Sequence, residues 1–121
     1  MTTGERFAEA FASKDASAVR ELLAPDVDFM ALTPRRHWQA EGPDQVLEIL
    51  FGSWLEEGDK VDSLVSVEVG PDVEDTHHVS YRLALSTPNG PRTMEQQAYY
   101  REDDGRLAFM RVVCSGFRPV S

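Results

Sequence analysis

The sequence predicts an α+β domain in which helices lie on one face of a curved, mostly antiparallel sheet. Apolar residues recur at helical spacing in the first half of the chain and alternate with polar residues in the second half. The turn-forming clusters GPDVED, TPNGP and EDDG separate the alternating segments, which favours short antiparallel connections. A series of helices followed by a series of strands is typical of this fold class, and 121 residues are the usual size of one domain, here predicted to span residues 1–121.

The first two helices are predicted from their capping residues. Thr2 and Glu5 fit a capping box, and apolar residues then follow at helical spacing, so a helix is expected from about Gly4 to Ser13. Asp15 is a favourable N-cap for a second helix, which Pro25 is expected to stop.

A first strand and a third helix come next. The run VDFMAL predicts a strand over residues 27–32. Gly42 and Pro43 occupy the N-cap and first position of a third helix, which Gly58 is expected to end. Its broad apolar face contains Val46, Leu47, Leu50, Phe51 and Trp54.

Four strands are predicted in the second half, near residues 65–69, 79–86, 92–101 and 106–117. The stretch TPRRHWQAEGP, between the first strand and the third helix, is predicted to be a connection. Arg35, Arg36 and His37 are expected at its rim, with Trp38 turned inward. The two arginines are expected to point to solvent, and the alternative is that one of them clamps an anionic group.

Charge and cysteine content exclude several function classes. The chain has 21 acidic and 12 basic residues, and a net charge of -9 repels nucleic acid and anionic membrane surfaces. No apolar run approaches the roughly 20 residues of a membrane helix, and no signal peptide is recognisable. The lone Cys114 cannot form an internal disulfide and is predicted to be a small buried apolar residue. These features predict a cytoplasmic protein that binds neither nucleic acid nor membrane.

Three segments carry a resemblance to a known family: FAEAFASKDASAVRELLAPDVDF, EGPDQVLEIL and YYREDDGRLAFMRVV. In this order they resemble the nuclear-transport-factor-2-like superfamily, in particular its SnoaL-like branch, over nearly the whole chain. The resemblance implies a cystatin-like cone of sheet closed by helices, with an apolar pocket at its open end and frequent dimers. The superfamily includes ketosteroid isomerase, scytalone dehydratase, limonene epoxide hydrolase, polyketide cyclases and binding domains, so the fold alone leaves the reaction open.

The catalytic pattern of ketosteroid isomerase, a worked case of carboxylic acid and phenol donors, is altered in this chain. Alignment by eye places its tyrosine donor on Phe7, its aspartate base on Ala31 and its aspartate donor on Gln97. Phe7 and Ala31 cannot donate or accept a proton. The resemblance therefore predicts that this protein does not catalyse steroid isomerisation by that route.

Glu95 is the leading candidate for acid–base chemistry. In the run TMEQQAYY, the alternate residues Glu95, Gln97 and Tyr99 share one strand face, and the resemblance places this face toward the pocket. An apolar pocket would raise the pKa of Glu95 toward that of a useful acid or base, with Gln97 and Tyr99 orienting a ligand. The alternative is that Glu95 faces solvent or pairs with Arg82 or Arg111.

His37 is the second catalytic candidate, but a metal site is not expected. His77 and His78 are neighbours in a predicted strand and therefore point to opposite faces. A zinc site needs three or four converging ligands, which three histidines and one cysteine do not supply in this pattern. The sequence also has no glycine-rich phosphate loop, so no cofactor is predicted.

Four aromatic residues are candidates for the pocket lining: Phe29, Trp38, Trp54 and Tyr81. Aromatic side chains on a helix face are more often core than ligand contacts, so core packing is the alternative for Trp54. Trp38 lies where the resemblance places the pocket mouth, and lining and simple packing are equally compatible with its position.

Two functions are compatible with these features. The first is a small-molecule-binding pocket protein, with or without cofactor-free isomerase, cyclase, dehydratase or hydrolase activity on an apolar molecule. The second is a non-catalytic dimerisation or interaction domain whose pocket is vestigial. Phe109, Val113 and Phe117 share one face of the last strand and predict a homodimer across the sheet, because an apolar outer face needs a partner.

Overall fold

A computed structural model describes residues 1–120 of the chain. Its helices are α1 (Thr3–Ala12), α2 (Ala16–Leu22) and α3 (Pro43–Leu47), which continues into a π-helix, Glu48–Trp54. Its strands are β1 (Leu23–Thr33), β2 (Arg36–Glu41), β3 (Lys60–Val73), β4 (Thr76–Thr87), β5 (Gly90–Asp103), β6 (Arg106–Cys114) and β7 (Arg118–Pro119).

Both predicted N-caps are confirmed. The Thr2 hydroxyl accepts a hydrogen bond from the Glu5 amide at 3.1 Å, and the Glu5 carboxylate accepts one from the Thr2 amide at 2.9 Å. The Asp15 carboxylate accepts a bond from the Ala18 amide at 3.1 Å. These bonds satisfy backbone donors that have no partner inside the first turn of a helix.

The strands form one mixed sheet that is not closed into a barrel. Their order is β2-β1-β6-β5-β4-β3, with β7 paired to β5. Only β1 and β6 run parallel, and the other pairs are antiparallel. The predicted α+β class, with three helices on a curved and mostly antiparallel sheet, is confirmed. The edge strand β3 departs from regular pairing with β4 at three points.

The stretch TPRRHWQAEGP connects the first strand to the third helix, as predicted, but it contains a strand that was not predicted and forms a β-hairpin with β1. Strand β2 pairs with β1, and the turn between them contains Pro34 and Arg35. Arg35 adopts a φ of 68°, a left-handed conformation that usually requires glycine. Trp38 pairs with the buried Ala31 and shares its inward face, as expected, whereas His37 points outward.

The third helix is also shorter than predicted, because it ends at Trp54 instead of continuing to Gly58. The Leu55 amide donates to the Leu50 carbonyl at 2.9 Å, which is the five-residue spacing of a π-helix. Such segments are rare and are frequently found at functional sites.

Side chains fill the interior of the cone. Phe7 and Phe11 of α1 stack at 5.8 Å, and the Tyr81 ring lies 6.2 Å and 6.3 Å from them. Phe29 on β1 is fully buried in the same core. Because aromatic rings occupy the centre, the space available to a ligand lies at the end of the cone and not deep within it.

Candidate functional site

A cleft of about 570 Å³, open to solvent, lies where the β1–β2 turn, the end of the π-helix and the segment between β6 and β7 meet. Its volume lies within the usual range of small-molecule sites. The cleft is lined by Thr33, Pro34, Arg35, Ser53, Trp54, Met94, Cys114, Ser115, Gly116, Phe117 and Arg118.

Trp54 is the largest apolar side chain of the cleft. Its ring lies 6.1 Å from Phe29 and makes an edge contact with Trp38 at 6.0 Å. The Trp38 indole N–H donates to the Thr33 hydroxyl at 2.8 Å. The buried indole N–H of Trp54, in contrast, has no hydrogen-bond partner among residues 1–120. An unpaired buried donor costs free energy, and this one lies beneath the cleft surface, out of direct reach of a molecule in the cleft.

Cys114 is buried, as predicted from its sequence context, and forms part of the inner wall of the cleft. Burial raises the pKa of its thiol, although hydrogen bonds from Gln96 and the Gly116 amide oppose this shift. The sulfur accepts from the Gly116 amide at 3.3 Å. The raised pKa means that the thiol stays protonated more readily, which disfavours the reactive thiolate.

A buried polar pair lies behind Cys114. The Tyr81 hydroxyl donates to Oε1 of Gln96 at 2.6 Å, and both side chains are almost completely buried. Burial is the main cause of the raised pKa of Tyr81, and the nearby Cys114 adds to it. Tyr81 therefore stays protonated and holds Gln96 in place.

The prediction that Glu95, Gln97 and Tyr99 face inward is wrong. On β5 the alternate residues Met94, Gln96, Ala98 and Tyr100 are buried, so the other set lies on the outer face. The Glu95 side chain is 46 % exposed and pairs with Arg82 at 3.3 Å, which is the ion-pair alternative considered from the sequence. Gln97 contacts Nε2 of His78 at 2.5 Å, and the Tyr99 ring stacks on the His78 ring at 4.5 Å.

The outward position of Gln97 also corrects the alignment with the isomerase pattern. Gln97 cannot point into the cone, and the inward amide on β5 is Gln96. Phe7 and Ala31 are buried, as the alignment required. His37, the second catalytic candidate, lies on the outer face beside Tyr99, away from the cleft.

The four aromatic candidates separate into core and cleft. Phe29 and Tyr81 are core residues and Trp38 supports Trp54, whereas Trp54 itself lines the cleft. Residues around the break after β6 were not identified as cleft residues from the sequence: Ser115 and Arg118 were not singled out, and Phe117 was assigned to the outer sheet face. The glycine in CSGFRP was the sequence signal that could have indicated a break in the strand. In the structure Gly116 has a φ of 72°, and the chain turns there across the cleft.

The outer sheet face is partly apolar. Phe109, Arg111 and Val113 lie on it as predicted, and Arg111 bonds to Asp28 and covers the Phe109 ring at 4.0 Å. Phe117 does not belong to this face, because β6 ends at Cys114 and Phe117 lines the cleft.

Within residues 1–120, no group of three or more histidine, cysteine, aspartate or glutamate side chains is arranged to hold a metal ion. None of the helices described for this chain is both long and apolar enough to cross a bilayer.

Solved structures with the same fold include three bacterial proteins. A candidate isomerase from Bacillus subtilis has a TM-score of 0.75 and 16% identity, covering 93% of this chain and 84% of that chain. A candidate polyketide cyclase from Xanthomonas campestris has a TM-score of 0.72 and 16% identity, covering 92% and 86%. An LEH-like epoxide hydrolase from M. tuberculosis has a TM-score of 0.66 and 15% identity, covering 93% and 80%. At these identities the likeness shows the fold alone.

A comparison with curated proteins found no significant match. The sequence profile of the SnoaL-like domain, however, matches residues 5–110, which is most of the 121-residue chain. The topology and this match agree with the resemblance carried by the three sequence segments, and the chain belongs to the SnoaL-like domain family.

Proposed function

We propose that this protein binds a small, mostly apolar molecule in the cleft at the open end of the cone. The observation that carries the proposal is Trp54, a buried indole on the cleft wall whose N–H has no partner among residues 1–120. Met94 and Phe117 add apolar surface beside it. A ligand resting on these side chains would gain apolar contact with the exposed part of the wall.

Acid–base catalysis by Glu95 or His37 is not part of this proposal. Neither residue lines the cleft, and the lining side chains named above include no carboxylate or imidazole. The raised pKa of Cys114 also makes its thiol a poor nucleophile near neutral pH. Binding without catalysis by these groups is therefore the function that the geometry supports best. The names of the structural relatives, a polyketide cyclase and an epoxide hydrolase among them, support a small-molecule ligand.

The test is a titration with the neutral fluorescent probe N-phenyl-1-naphthylamine. Ser53→Phe, at the rim of the cleft, is expected to weaken probe binding at least tenfold by occupying the space without removing a core side chain. Trp54→Ala should cost roughly 1 to 3 kcal/mol of binding, or about tenfold or more in affinity. The control is Leu32→Ala on the outer face, which should bind as the parent does. Equal affinity in the parent and Ser53→Phe proteins, with unfolding midpoints unchanged, would contradict the proposal.

A second role, dimerisation, is favoured by the outer sheet face. Leu32 and Val113 are 54 % and 53 % exposed there, beside Tyr99 and a shallow apolar depression of about 220 Å³. We propose a homodimer that covers this patch, because exposed contiguous apolar surface favours association. Sedimentation equilibrium at tens of micromolar, an order of magnitude suited to weak dimers, should give twice the chain mass. Val113→Asp should give the monomer mass, and a monomeric parent would refute this role.

We also propose a cytoplasmic location for this protein, because its single cysteine has no partner for an internal disulfide.

A further inference from the structure

The charge of the cleft differs in sign from the charge of the whole protein. The chain carries a net charge of -9, yet the only charged side chains of the cleft lining are Arg35 and Arg118. The acidic residues Glu56 and Asp59 line an adjoining depression together with Arg92, and this depression shares Ser53, Trp54 and Phe117 with the cleft. The cleft is therefore a local positive site on an acidic protein, and such a site attracts anions.

The two cleft arginines have no ion-pair partner among the described residues, a property that they share with Arg6, Arg36, Arg92 and Arg106. Elsewhere Arg20, Arg82, Arg101 and Arg111 each contact a carboxylate at 2.7 to 3.5 Å. Within residues 1–120, Arg35 and Arg118 have no such contact. The positive charge of Arg35 and Arg118 is consequently available to a ligand, whereas the charge of the four paired arginines is already compensated. What sets these two apart from the other unpaired arginines is that both line the cleft.

The backbone holds both arginines at the cleft. Arg35 occupies a turn position with a φ of 68°, where glycine would be less strained, so the side chain is present despite a backbone cost. Arg118 lies in β7, which pairs with Thr93 of β5 and is thereby fixed across the cleft opening. The two guanidinium groups thus come from separate elements that border one space.

A third guanidinium lies nearby. Arg36 covers the Trp38 ring at 3.6 Å from its centroid, and Trp38 in turn contacts Trp54. The other polar side chains of the lining include the hydroxyls of Thr33, Ser53 and Ser115, which can donate or accept. The positive charge of the lining is therefore not balanced by a carboxylate of the lining, while Trp54, Met94 and Phe117 provide the apolar surface.

We propose that the ligand is an apolar monocarboxylic acid, bound with its hydrocarbon part against Trp54, Met94 and Phe117 and its carboxylate between Arg35 and Arg118. This inference rests on the proposed function, because it names the ligand class of the same cleft. Arginine binds a carboxylate through charge-assisted, often paired hydrogen bonds, and it keeps its charge at every physiological pH. An acid of about ten carbon atoms suits a cleft in the usual size range of ligand sites.

The test compares decanoate with 1-decanol, which has the same chain length and no charge. Both are titrated against bound N-phenyl-1-naphthylamine at pH 7.5, where the carboxylate is ionised, in low and in high salt. Decanoate is expected to displace the probe at least tenfold more effectively than decanol in low salt, with a smaller advantage in high salt, because ions screen the partly exposed arginines.

Two variants locate the effect. Arg35→Gln and Arg118→Gln should each weaken decanoate about three- to tenfold and leave decanol unchanged. Arg106→Gln, at the start of β6 and therefore at the opposite end of that strand from the cleft, is the matched control and should leave both affinities unchanged. Equal binding of decanoate and decanol, or unchanged decanoate binding in both cleft variants, would overturn this inference while leaving the proposed cleft intact. If neither compound nor the probe binds, the proposed function itself fails.

Discussion

Removal of the Tyr81 hydroxyl tests whether the buried pair behind the cleft stabilises the fold. In Tyr81→Phe the Gln96 amide oxygen loses the donor that now lies 2.6 Å away, and the almost complete burial of both side chains leaves little access to water. A buried acceptor without a partner costs about 1 to 3 kcal/mol, so we expect a loss of about 2 kcal/mol in the free energy of unfolding. With a urea m-value of about 1.5 kcal/mol/M, the midpoint should fall by about 1.3 M.

The assay is urea unfolding followed by tryptophan fluorescence, with a double-mutant cycle. Gln96→Leu alone should cost a similar amount, because it leaves the Tyr81 hydroxyl unpaired, whereas the double variant should lose much less than the sum of both. Tyr99→Phe, on the outer face of the same strand as Gln96, is the matched control and should change stability by no more than about 0.5 kcal/mol. A change below about 0.5 kcal/mol in Tyr81→Phe, or additive losses in the double variant, would refute the reasoning.

Three further predictions concern stability and pH, and all are measured as urea midpoints. Gly4→Ala should lower the free energy of unfolding by about 1 to 3 kcal/mol, because a Cβ there would lie 2.7 Å from the Tyr100 ring. Gly52→Ala is the control, because the nearest atom to its Cβ would be 3.7 Å away, and an equal loss in this variant would disprove the steric explanation. Asp15→Ala should cost about 1 kcal/mol through loss of the α2 N-cap, and an unchanged midpoint would show that the cap is dispensable. Because burial raises the pKa of Cys114 above its ordinary 9.0, the unfolded chain releases this proton first. The contribution of this thiol to the free energy of unfolding should therefore be fully present at neutral pH and be lost above about pH 9. The urea midpoint of Cys114→Ala should fall less steeply with pH than that of the parent, and identical slopes would exclude the thiol as a cause.

Most of the helices, the first strand and the four long strands of the second half could be predicted from the sequence, because their signals are local. The Thr2 and Asp15 caps mark where α1 and α2 begin, and alternating residues mark β4. The hairpin after β1 was missed because the Pro34-Arg35 turn lacks the Asn-Gly or Asp-Gly signal. Its second strand lies at the sheet edge and is mostly polar, so alternation is weak.

The inward face of β5 could not be determined from the sequence, because both faces mix polar and aromatic residues. Gln96 and Tyr100 point inward, whereas Gln97 and Tyr99 point outward. A shift of one residue exchanges the two sets completely, and only contacts with Tyr81 and α1 distinguish them. Because the inward set is the other one, the predicted acid–base role of Glu95 in a pocket is not supported. The cleft depends instead on Trp54, which lies at the end of a π-helix that helical periodicity does not predict.

The irregular pairing of β3 has a consequence for aggregation. An open sheet exposes the backbone of its last strand, and a long, flat edge can add the strand of another molecule and grow into a fibre. At 14 residues β3 is long, but its register shifts near Ser63, Ser66 and Val73 bend the free edge out of line. Pro71 also lacks an amide hydrogen with which to extend a ladder. Bulges are one way in which edge strands avoid pairing with a second molecule, so we expect the β3 edge of this acidic protein to resist edge-to-edge polymerisation.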